Sequence, residues 1–165
     1  HYLWFMQQDT GIKSFLLVGS NLGNPLAQID HGHDLVNEEC GRIIHRTACH
    51  KTEPWGYHNQ PVFYNELWTL ETDLKPLKLL EKLKNIEVQC GRKPRSKWYA
   101  RELDIDILFY GQEIVQRTKL MIPHPWHHKR LFSLKLMQEA APNFSHPIFE
   151  KTSKILIESL PKIVH

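Results

Sequence analysis

Apolar and polar residues follow each other along the chain in a pattern that predicts strands and helices in turn. Residues 12–18 (IKSFLLV) form an apolar run typical of a buried strand, and the run stops at the turn-forming stretch GSNLGNP. Asn24 followed by Pro25 is a helix-start signal, which predicts a helix over residues 25–39. The β-branched content and partial alternation of residues 42–50 (RIIHRTACH) predict a second strand.

The middle of the chain predicts a loop, a strand and a helix. Residues 51–61 contain two prolines and a glycine, so we expect a loop there. Residues 62–72 (VFYNELWTLET) alternate between two faces, which predicts a strand. A helix then opens near Asp73 and Pro76, because apolar side chains recur at spacings of four, three and four residues. These side chains are Leu79, Leu83, Ile86 and Cys90.

The last third of the chain predicts one more long strand and two helices. The strand is LDIDILFY (103–110), and GQEIV (111–115) reads as the turn and return strand of a hairpin. Helices are expected over roughly 130–140 and 153–160, each ending before a proline. The order βαββαβ indicates a ferredoxin-like α+β fold, an antiparallel sheet with helices packed on one face, plus extra C-terminal elements. We expect the other face of the sheet to be free to hold ligands.

Composition favours one domain inside the cell. The 165 residues, 41% of them hydrophobic, suit a single core, which we place at residues 11–165. Residues 1–10 include an apolar run, YLWFM, that is too short for a signal-peptide core or a membrane span, and we interpret them as a leader outside the fold. Three cysteines without a CxxC pair favour reduced thiols over disulfides or a thiolate zinc site. We therefore expect a cytoplasmic monomer that does not bind membranes.

Positive charge is concentrated in two runs that flank the strand at 103–110. The net charge of +3 does not by itself indicate nucleic-acid binding. Residues 91–101 (GRKPRSKWYAR) contain five Lys or Arg and no acid. Residues 117–130 (RTKLMIPHPWHHKR) contain four Lys or Arg, three histidines and again no acid. Guanidinium groups present paired donors to phosphate oxygens, so both runs suit the binding of a polyphosphate.

Two aspartates interrupt the apolar strand between these runs. Asp104 and Asp106 are two residues apart, so their side chains project from one face, within about 7 Å of each other. The pair could bind one Mg²⁺ or two neighbouring ions, or it could simply face water, and the spacing alone does not decide between these alternatives. The flanking basic runs favour a metal with phosphate, because like charges on a strand repel unless a cation lies between them.

Histidine and glycine motifs suggest other sites that we set aside. HGH (31–33) and HPWHH (124–128) lack the spacing and the distant third ligand of a zinc site. We interpret most of these histidines as surface or phosphate-facing groups. GSNLGNP lacks the pattern of a P-loop, and it is interpreted as a turn between a strand and a helix.

Five motifs occur in order along the chain: GSNLG, TEPWGYHNQPVFYN, IEVQCGR, WYARELDIDIL, and IPH followed by KRLF. Together they closely resemble the 6-hydroxymethyl-7,8-dihydropterin pyrophosphokinases of folate biosynthesis, and the resemblance covers nearly all of residues 12–160. The resemblance implies transfer of pyrophosphate from ATP to the hydroxymethyl group of a reduced pterin, with release of AMP. It also implies that Asp104 and Asp106 hold two Mg²⁺ ions on the phosphates, while Arg92 and Arg101 close on the reacting groups.

The same resemblance implies the residues that bind each substrate. The pterin would stack between Phe63 and Phe132, and the other residues implied to read its polar edge are Thr52, Glu53, Trp55 and Asn65. The residues implied to bind ATP are Leu80, Lys84, Glu87, Arg95, Lys97, Trp98, Arg101, Ile107, Lys119, Met121, His124 and Arg130. Lys97 stands where family members often have an arginine, and it keeps the charge but loses the bidentate fork.

Two other functions remain as alternatives at this point. An RNA-binding module can use the same fold, but the chain has no [KR]-G-[FY]-[GA]-[FY] motif, and two acids on the ligand-facing strand would repel a backbone phosphate without a metal. A metal-dependent nucleotidyl transferase would explain the aspartates, but it would not explain the aromatic and Asn pattern at residues 63–65. We therefore expect ATP and the pterin as partners, and no nucleic acid.

Overall fold

The structure is a computed structural model that describes residues 11–53, 61–93 and 102–162. The strands are β1 (Ile12–Ser20), β2 (Arg42–Arg46), β3 (His50–Thr52), β4 (Phe63–Thr72), β5 (Asp104–Tyr110), β6 (Val115–Gln116) and β7 (Met121–Ile122). The helices are α1 (Pro25–Glu39), α2 (Pro76–Gln89), α3 (Leu131–Ala140) and α4 (Ser153–Glu158), with a 3₁₀ turn at His127–Lys129. The predicted leader, residues 1–10, lies outside the described residues.

The main sheet is antiparallel and has the predicted ferredoxin-like arrangement. Its strand order is β2-β4-β1-β5, and β3 also pairs with β4. The first strand therefore lies between two strands that follow much later in the chain. The α+β fold predicted from the element order is confirmed.

Helices α1 and α2 pack on one face of the sheet, which we call the first face. Leu16, Trp68 and Ile105 are among its fully or almost fully buried residues. The Asn24 side chain caps α1 by accepting the Ala27 N–H at 3.2 Å, as the helix-start signal predicted. Burial of these apolar side chains against the helices is the main stabilising contribution on this side.

The opposite, second face of the sheet is partly covered, whereas the sequence led us to expect it to be free. Helix α3 packs there and buries Leu136 and Met137 against a cluster that includes Leu17, Leu67 and Leu108. Because α3 carries its own apolar stripe, it must bury that stripe against a partner, and the sheet provides one. The part of the second face beyond α3 carries polar side chains instead.

The predicted strand at 42–50 is in fact two strands, and the second one enters the predicted loop. The pairing is interrupted at Thr47, whose N–H donates to the Leu67 carbonyl at 3.0 Å while its Oγ1 accepts the Leu67 N–H at 2.9 Å. The hydroxyl thus takes the place of a backbone acceptor, and regular pairing resumes at His50. The loop predicted for 51–61 begins only after Thr52, and residues 54–60 lie outside the described residues.

The predicted hairpin at 111–115 is wrong. Gly111 does make a turn, with a φ of +52° that suits glycine, but Val115 pairs with Ile122 of β7 and not with β5. The outer edge of β5 is occupied by a later segment, because the His124 N–H donates to the Leu108 carbonyl at 2.9 Å. A return strand therefore has no free edge to join there.

The remaining predicted elements are confirmed within a few residues. The strand at 62–72 and the helices predicted over 130–140 and 153–160 are all present, and β1 extends two residues beyond its predicted end. Over the described ranges, none of the helices has the length and apolar character needed to cross a membrane.

Candidate active site

A row of residues across three strands brings the two predicted substrate sites onto one face. Gly19 of β1 is directly opposite Asn65 of β4 on one side and Asp104 of β5 on the other. Residues opposite each other in neighbouring strands point to the same face, and strands are spaced about 4.8 Å apart. Asp106 pairs with Leu17, whose side chain lies in the second-face cluster. Asn65, Asp104 and Asp106 therefore all project from the second face.

Gly19 makes room for this row because it has no side chain. A Cβ atom at this position would lie 2.7 Å from Asn65 Oδ1, which is closer than real Cβ contacts allow. The sequence interpretation treated this glycine as part of a turn, and so missed its role. The GSNLG motif was the available signal, since its first glycine ends the predicted strand.

The Asn65 end of the row is fixed by the short strand β3. Asn65 is buried, and its Nδ2 donates to Thr52 Oγ1 at 2.7 Å. Thr52 is in turn opposite Phe63, which is half-buried beside it. An oriented amide, a hydroxyl and an aromatic ring are thus grouped at one place, which suits a flat polar heterocycle. Three of the residues predicted to bind the pterin are brought together here.

The Asp104 end of the row is held by a chain of charges from α2. Arg92 Nη1 donates to Asp104 Oδ1 at 2.8 Å and to Glu87 Oε1 at 2.7 Å. Glu87 is buried, and its other oxygen accepts the Ile105 N–H at 2.7 Å. Burial and the nearby Asp104 charge raise the pKa of Glu87, while Lys84, at 3.3 Å, acts in the opposite direction. Glu87 therefore holds both Arg92 and the backbone of β5 beside Asp104.

The environment of Asp106 shifts its carboxyl towards the neutral form in the absence of a cation. Burial and the Asp104 carboxylate raise its pKa to about 7, against the attraction of Lys84 and Arg130. A bound divalent cation would reverse this effect, because it stabilises both carboxylates as anions. The arrangement is therefore one that a cation can complete.

The carboxylate oxygens of Asp104 and Asp106 are ligands of the kind that Mg²⁺ prefers, and they supply part of its coordination. Mg²⁺ is commonly held by one or two carboxylates together with substrate phosphates and water. Among the described residues, no group of three or more His, Cys, Asp or Glu side chains is placed to form an all-protein metal site. The pair Asp104 and Asp106 fits a metal that takes its other ligands from a phosphate.

His124 lies beside the carboxylate pair in its neutral form. Its Nδ1 accepts the Trp126 N–H at 3.1 Å, which leaves Nε2 facing Asp106 Oδ2 at 3.9 Å. Burial and the Arg130 charge lower the pKa of His124 to about 4. A neutral imidazole whose Nδ1 accepts carries its proton on Nε2, so it can donate to an oxygen that approaches Asp106.

The segment after His124 brings in the aromatic residue of the C-terminal half. Arg130 precedes α3, and Phe132 in its first turn packs half-buried against the second-face cluster. His127 Nδ1 hydrogen-bonds with Ser133 Oγ at 2.6 Å and so ties the 3₁₀ turn to the start of α3. The sequence predicted surface or phosphate-facing positions for most histidines of HGH and HPWHH, and this is wrong for His127, which is 1% exposed. Ser133 belongs to no motif quoted there and was given no role.

The other predicted site residues that the structure describes are not grouped with the row formed by Asn65 and Asp104. Ile107 has its side chain in the first-face core, so only its backbone is available to a ligand on the second face. Leu80 packs against that same core from α2, Glu53 follows β3 and is exposed, and Met121 and Lys119 are exposed on or near β7. The predicted site residues outside the described part of the chain are Trp55, Arg95, Lys97, Trp98 and Arg101.

Comparison with known proteins agrees with the family that the sequence motifs resemble. Residues 15–142 match the family described as 7,8-dihydro-6-hydroxymethylpterin-pyrophosphokinase (HPPK). The chain belongs to this family. It is 38% identical over 140 residues to the 2-amino-4-hydroxy-6-hydroxymethyldihydropteridine pyrophosphokinase of Aquifex aeolicus, covering 85% of this chain and 87% of the relative. The enzyme of the same name from Haemophilus influenzae is 35% identical over 137 residues, covering 82% and 86% of the two chains.

Solved structures of the family have the same fold. A Plasmodium falciparum HPPK-DHPS chain, solved as the wild type with pteroate, superposes with a TM-score of 0.74 at 16% identity. The match covers 90% of this chain and 42% of the Plasmodium chain, so the HPPK described here spans less than half of that protein. Family membership decides among the functions left open by the sequence. The chain is a pyrophosphokinase that transfers pyrophosphate from ATP to hydroxymethyldihydropterin in folate biosynthesis.

Proposed function

We propose that this HPPK binds both of its substrates on the open part of the second face and requires Mg²⁺ to join them. The observation that supports this proposal is the row formed by Asn65, Gly19 and Asp104. Two strand spacings separate Asn65 from Asp104, about 10 Å between their Cα atoms. A pterin beside Asn65 and a triphosphate beside Asp104 would therefore meet over Gly19.

The metal is assigned to the two aspartates. Asp104 and Asp106 would hold Mg²⁺. Arg92, which lies 2.8 Å from Asp104, is one of the cationic residues that offset the charge of this pair. When bound, Mg²⁺ neutralises charge on the phosphates of ATP and orients them. Arg92 and Arg101 are assigned to the reacting phosphates because a guanidinium fork matches phosphate geometry.

The pterin is assigned to the space between β4 and α3. Phe63 and Phe132 stack on the two sides of its ring, since a flat heterocycle gains from aromatic contacts on both faces. Asn65 presents an amide that Thr52 orients. Glu53 and Trp55 are assigned to the same polar edge on the family resemblance.

ATP is assigned to the side of Asp104 that faces α2 and the segment before α3. The positive charges of Lys84 and Arg130 act on Asp106, and His124 Nε2 lies 3.9 Å from its carboxylate. Glu87 is linked to the carboxylate pair through its hydrogen bond with Arg92. The remaining assigned residues are Leu80, Arg95, Lys97, Trp98, Ile107, Lys119 and Met121. The pterin hydroxyl oxygen attacks the β-phosphorus and gives up its proton. AMP leaves with the electron pair of the broken bond between the β-phosphorus and the oxygen that bridges it to the α-phosphorus. Catalysis is then chiefly positioning and charge neutralisation, without a protein nucleophile.

The organisation of the protein is also part of the proposal. We assign residues 11–165 to one pyrophosphokinase domain, because both apolar clusters share the same sheet. The protein acts as a cytoplasmic monomer, and the free thiols of Cys40, Cys49 and Cys90 support a reducing compartment.

The metal assignment is tested by Asp104→Asn and Asp106→Asn. Each change keeps the size of the side chain and removes one anionic ligand, so we expect turnover to fall at least about 100-fold with an unchanged circular-dichroism spectrum. Binding of Mn²⁺ in the presence of a non-hydrolysable ATP analogue, followed by electron paramagnetic resonance, should be weakened in both variants. Wild-type turnover in either variant, or full activity of the wild type in excess EDTA, would contradict the assignment.

A further inference from the structure

Glu139, in the last turn of α3, makes two contacts with a distant part of the chain. Its Oε2 accepts the Ala48 N–H at 2.8 Å, and its Oε1 accepts from His50 Nε2 at 3.0 Å. Both oxygens of the carboxylate are therefore used, and they reach residues about ninety positions earlier in sequence. The Glu139 and His50 side chains are 37% and 36% exposed, so the contact lies at the protein surface.

The residues that Glu139 holds lead directly into β3. This strand has three residues, and among the described strands its pairing partner is β4. His50 is opposite Asn65, and Thr52 is opposite Phe63. A three-residue edge strand gains little stability from so short a ladder, so an additional tie has a large effect on its position. Glu139 provides that tie on the second face.

Glu139 also shares a helical face with the aromatic residue at the other end of α3. Phe132 and Glu139 are seven residues apart, which is two turns, or about 10.5 Å along the helix. Side chains separated by two turns project in nearly the same direction. A contact that fixes Glu139 against β3 therefore also fixes the direction in which Phe132 faces the sheet.

We propose that Glu139 is a positioning residue that sets the width of the pterin site, an inference that rests on the pterin assignment made above. It connects the wall formed by β3 and β4, with Thr52 and Phe63, to the wall formed by α3, with Phe132. Two rings that stack on both sides of a flat ring must stand about 7 Å apart, twice the ~3.5 Å contact distance between carbon atoms. A gap wider by 0.5–1 Å already forfeits about a quarter to a half of the contact energy at each atom pair.

The test compares Glu139→Ala, Glu139→Gln and His50→Ala in steady-state kinetics. Glu139→Ala removes both contacts, and we expect the KM for the hydroxymethyl dihydropterin to rise about tenfold while the KM for ATP changes less than about twofold. Glu139→Gln keeps an acceptor for the Ala48 N–H and should restore most of the wild-type KM. His50→Ala removes only one contact, so we expect a rise of about threefold.

Two further variants serve as reference points. Glu81→Ala removes an exposed glutamate that pairs with Lys78 at 3.4 Å on α2, and this matched control should leave both KM values unchanged. Asn65→Ala removes a residue assigned to the pterin itself, and it should raise the pterin KM without changing the ATP KM. Thermal unfolding of every variant shows whether a kinetic change merely follows lost stability.

The outcomes distinguish the positioning role of Glu139 from the assignment of the pterin site. A pterin KM that rises in Asn65→Ala but stays at the wild-type value in Glu139→Ala would overturn the positioning role and leave the pterin site intact. An equal rise of both KM values in Glu139→Ala, not rescued by Glu139→Gln, would show a general structural role and also overturn it. An unchanged pterin KM in Asn65→Ala would overturn the pterin assignment, and with it this inference. A selective rise in Glu139→Ala that Glu139→Gln reverses supports both.

Discussion

Two replacements of Glu87 should separate its contribution to stability from the contribution of its charge to catalysis. The Glu87 side chain is 2% exposed, and it accepts hydrogen bonds from the Ile105 N–H at 2.7 Å and from Arg92 Nη1 at 2.7 Å. Glu87→Gln keeps a carbonyl acceptor and removes the negative charge. Glu87→Ala removes both the acceptor and most of the side-chain volume.

The magnitudes follow from what each substitution leaves behind. Glu87→Ala leaves the buried Ile105 N–H without its acceptor, which costs about 1–3 kcal/mol. Lost packing around the former side chain adds to this, so we expect the free energy of unfolding to fall by about 2–4 kcal/mol in total. Glu87→Gln should lower it by about 1 kcal/mol or less, because the Ile105 hydrogen bond can be kept.

The catalytic effects of the two variants should be more alike than their stabilities. Both lose the carboxylate that holds Arg92, at 2.7 Å, beside Asp104. We expect kcat to fall about tenfold or more in each, because a misplaced guanidinium supplies less charge to the reacting phosphates.

Urea unfolding with a shared m-value, combined with steady-state kinetics at saturating substrates, measures both effects. Lys78→Ala, on the exposed side of the same helix, is the control and should change neither quantity. Equal stability of Glu87→Ala and the wild type would refute the assigned hydrogen bonds. Wild-type kcat in Glu87→Gln would refute the role of Glu87 in holding Arg92.

Two further predictions concern the sheet surface and the buried histidines. Gly19→Ala places a Cβ atom 2.7 Å from Asn65 Oδ1, so the Asn65 amide must move. The pterin KM should then rise about tenfold with little change in the ATP KM. An unchanged pterin KM would contradict the row formed by Asn65, Gly19 and Asp104. Burial lowers the pKa of His127 to about 3 and that of His146 to about 4, below the usual 6.5, so the unfolded chain binds more protons in acid. The free energy of unfolding should therefore be fully retained above about pH 6.5 and fall steadily towards pH 4. Urea unfolding across this range should show a larger fall in the wild type than in His127→Leu. Equal slopes in the two proteins would contradict the buried neutral state of His127.

Sequence patterns predicted the main elements because the positions of their residues follow the period of a strand or of a helix. The strand at 62–72 and the helix with Leu79 and Leu83 needed only period and spacing to be recognised. The predictions failed where a single polar group or a distant segment changed the pairing. The Thr47 hydroxyl interrupts the pairing with β4 between β2 and β3, and the His124 backbone takes the edge of β5 that a hairpin would have used.

The candidate site was predictable in its chemistry but not in its geometry. The spacing of Asp104 and Asp106 indicated a shared face, and the basic runs favoured a metal with phosphate. The strand register that places Gly19 between Asn65 and Asp104 depends on long-range pairing, which local periodicity does not specify. The same holds for Glu139 and Ala48, because a contact between residues so far apart in sequence leaves no local pattern.

Product analysis with purified protein tests the central claim most directly. The chain is incubated with ATP and Mg²⁺, with and without 6-hydroxymethyl-7,8-dihydropterin, and AMP is resolved from ADP by chromatography. We expect AMP to form only when all three are present, in an amount equal to the pyrophosphorylated pterin. Formation of ADP, or of AMP at the same rate without the pterin, would contradict a pyrophosphoryl transfer at the Asp104 and Asp106 site.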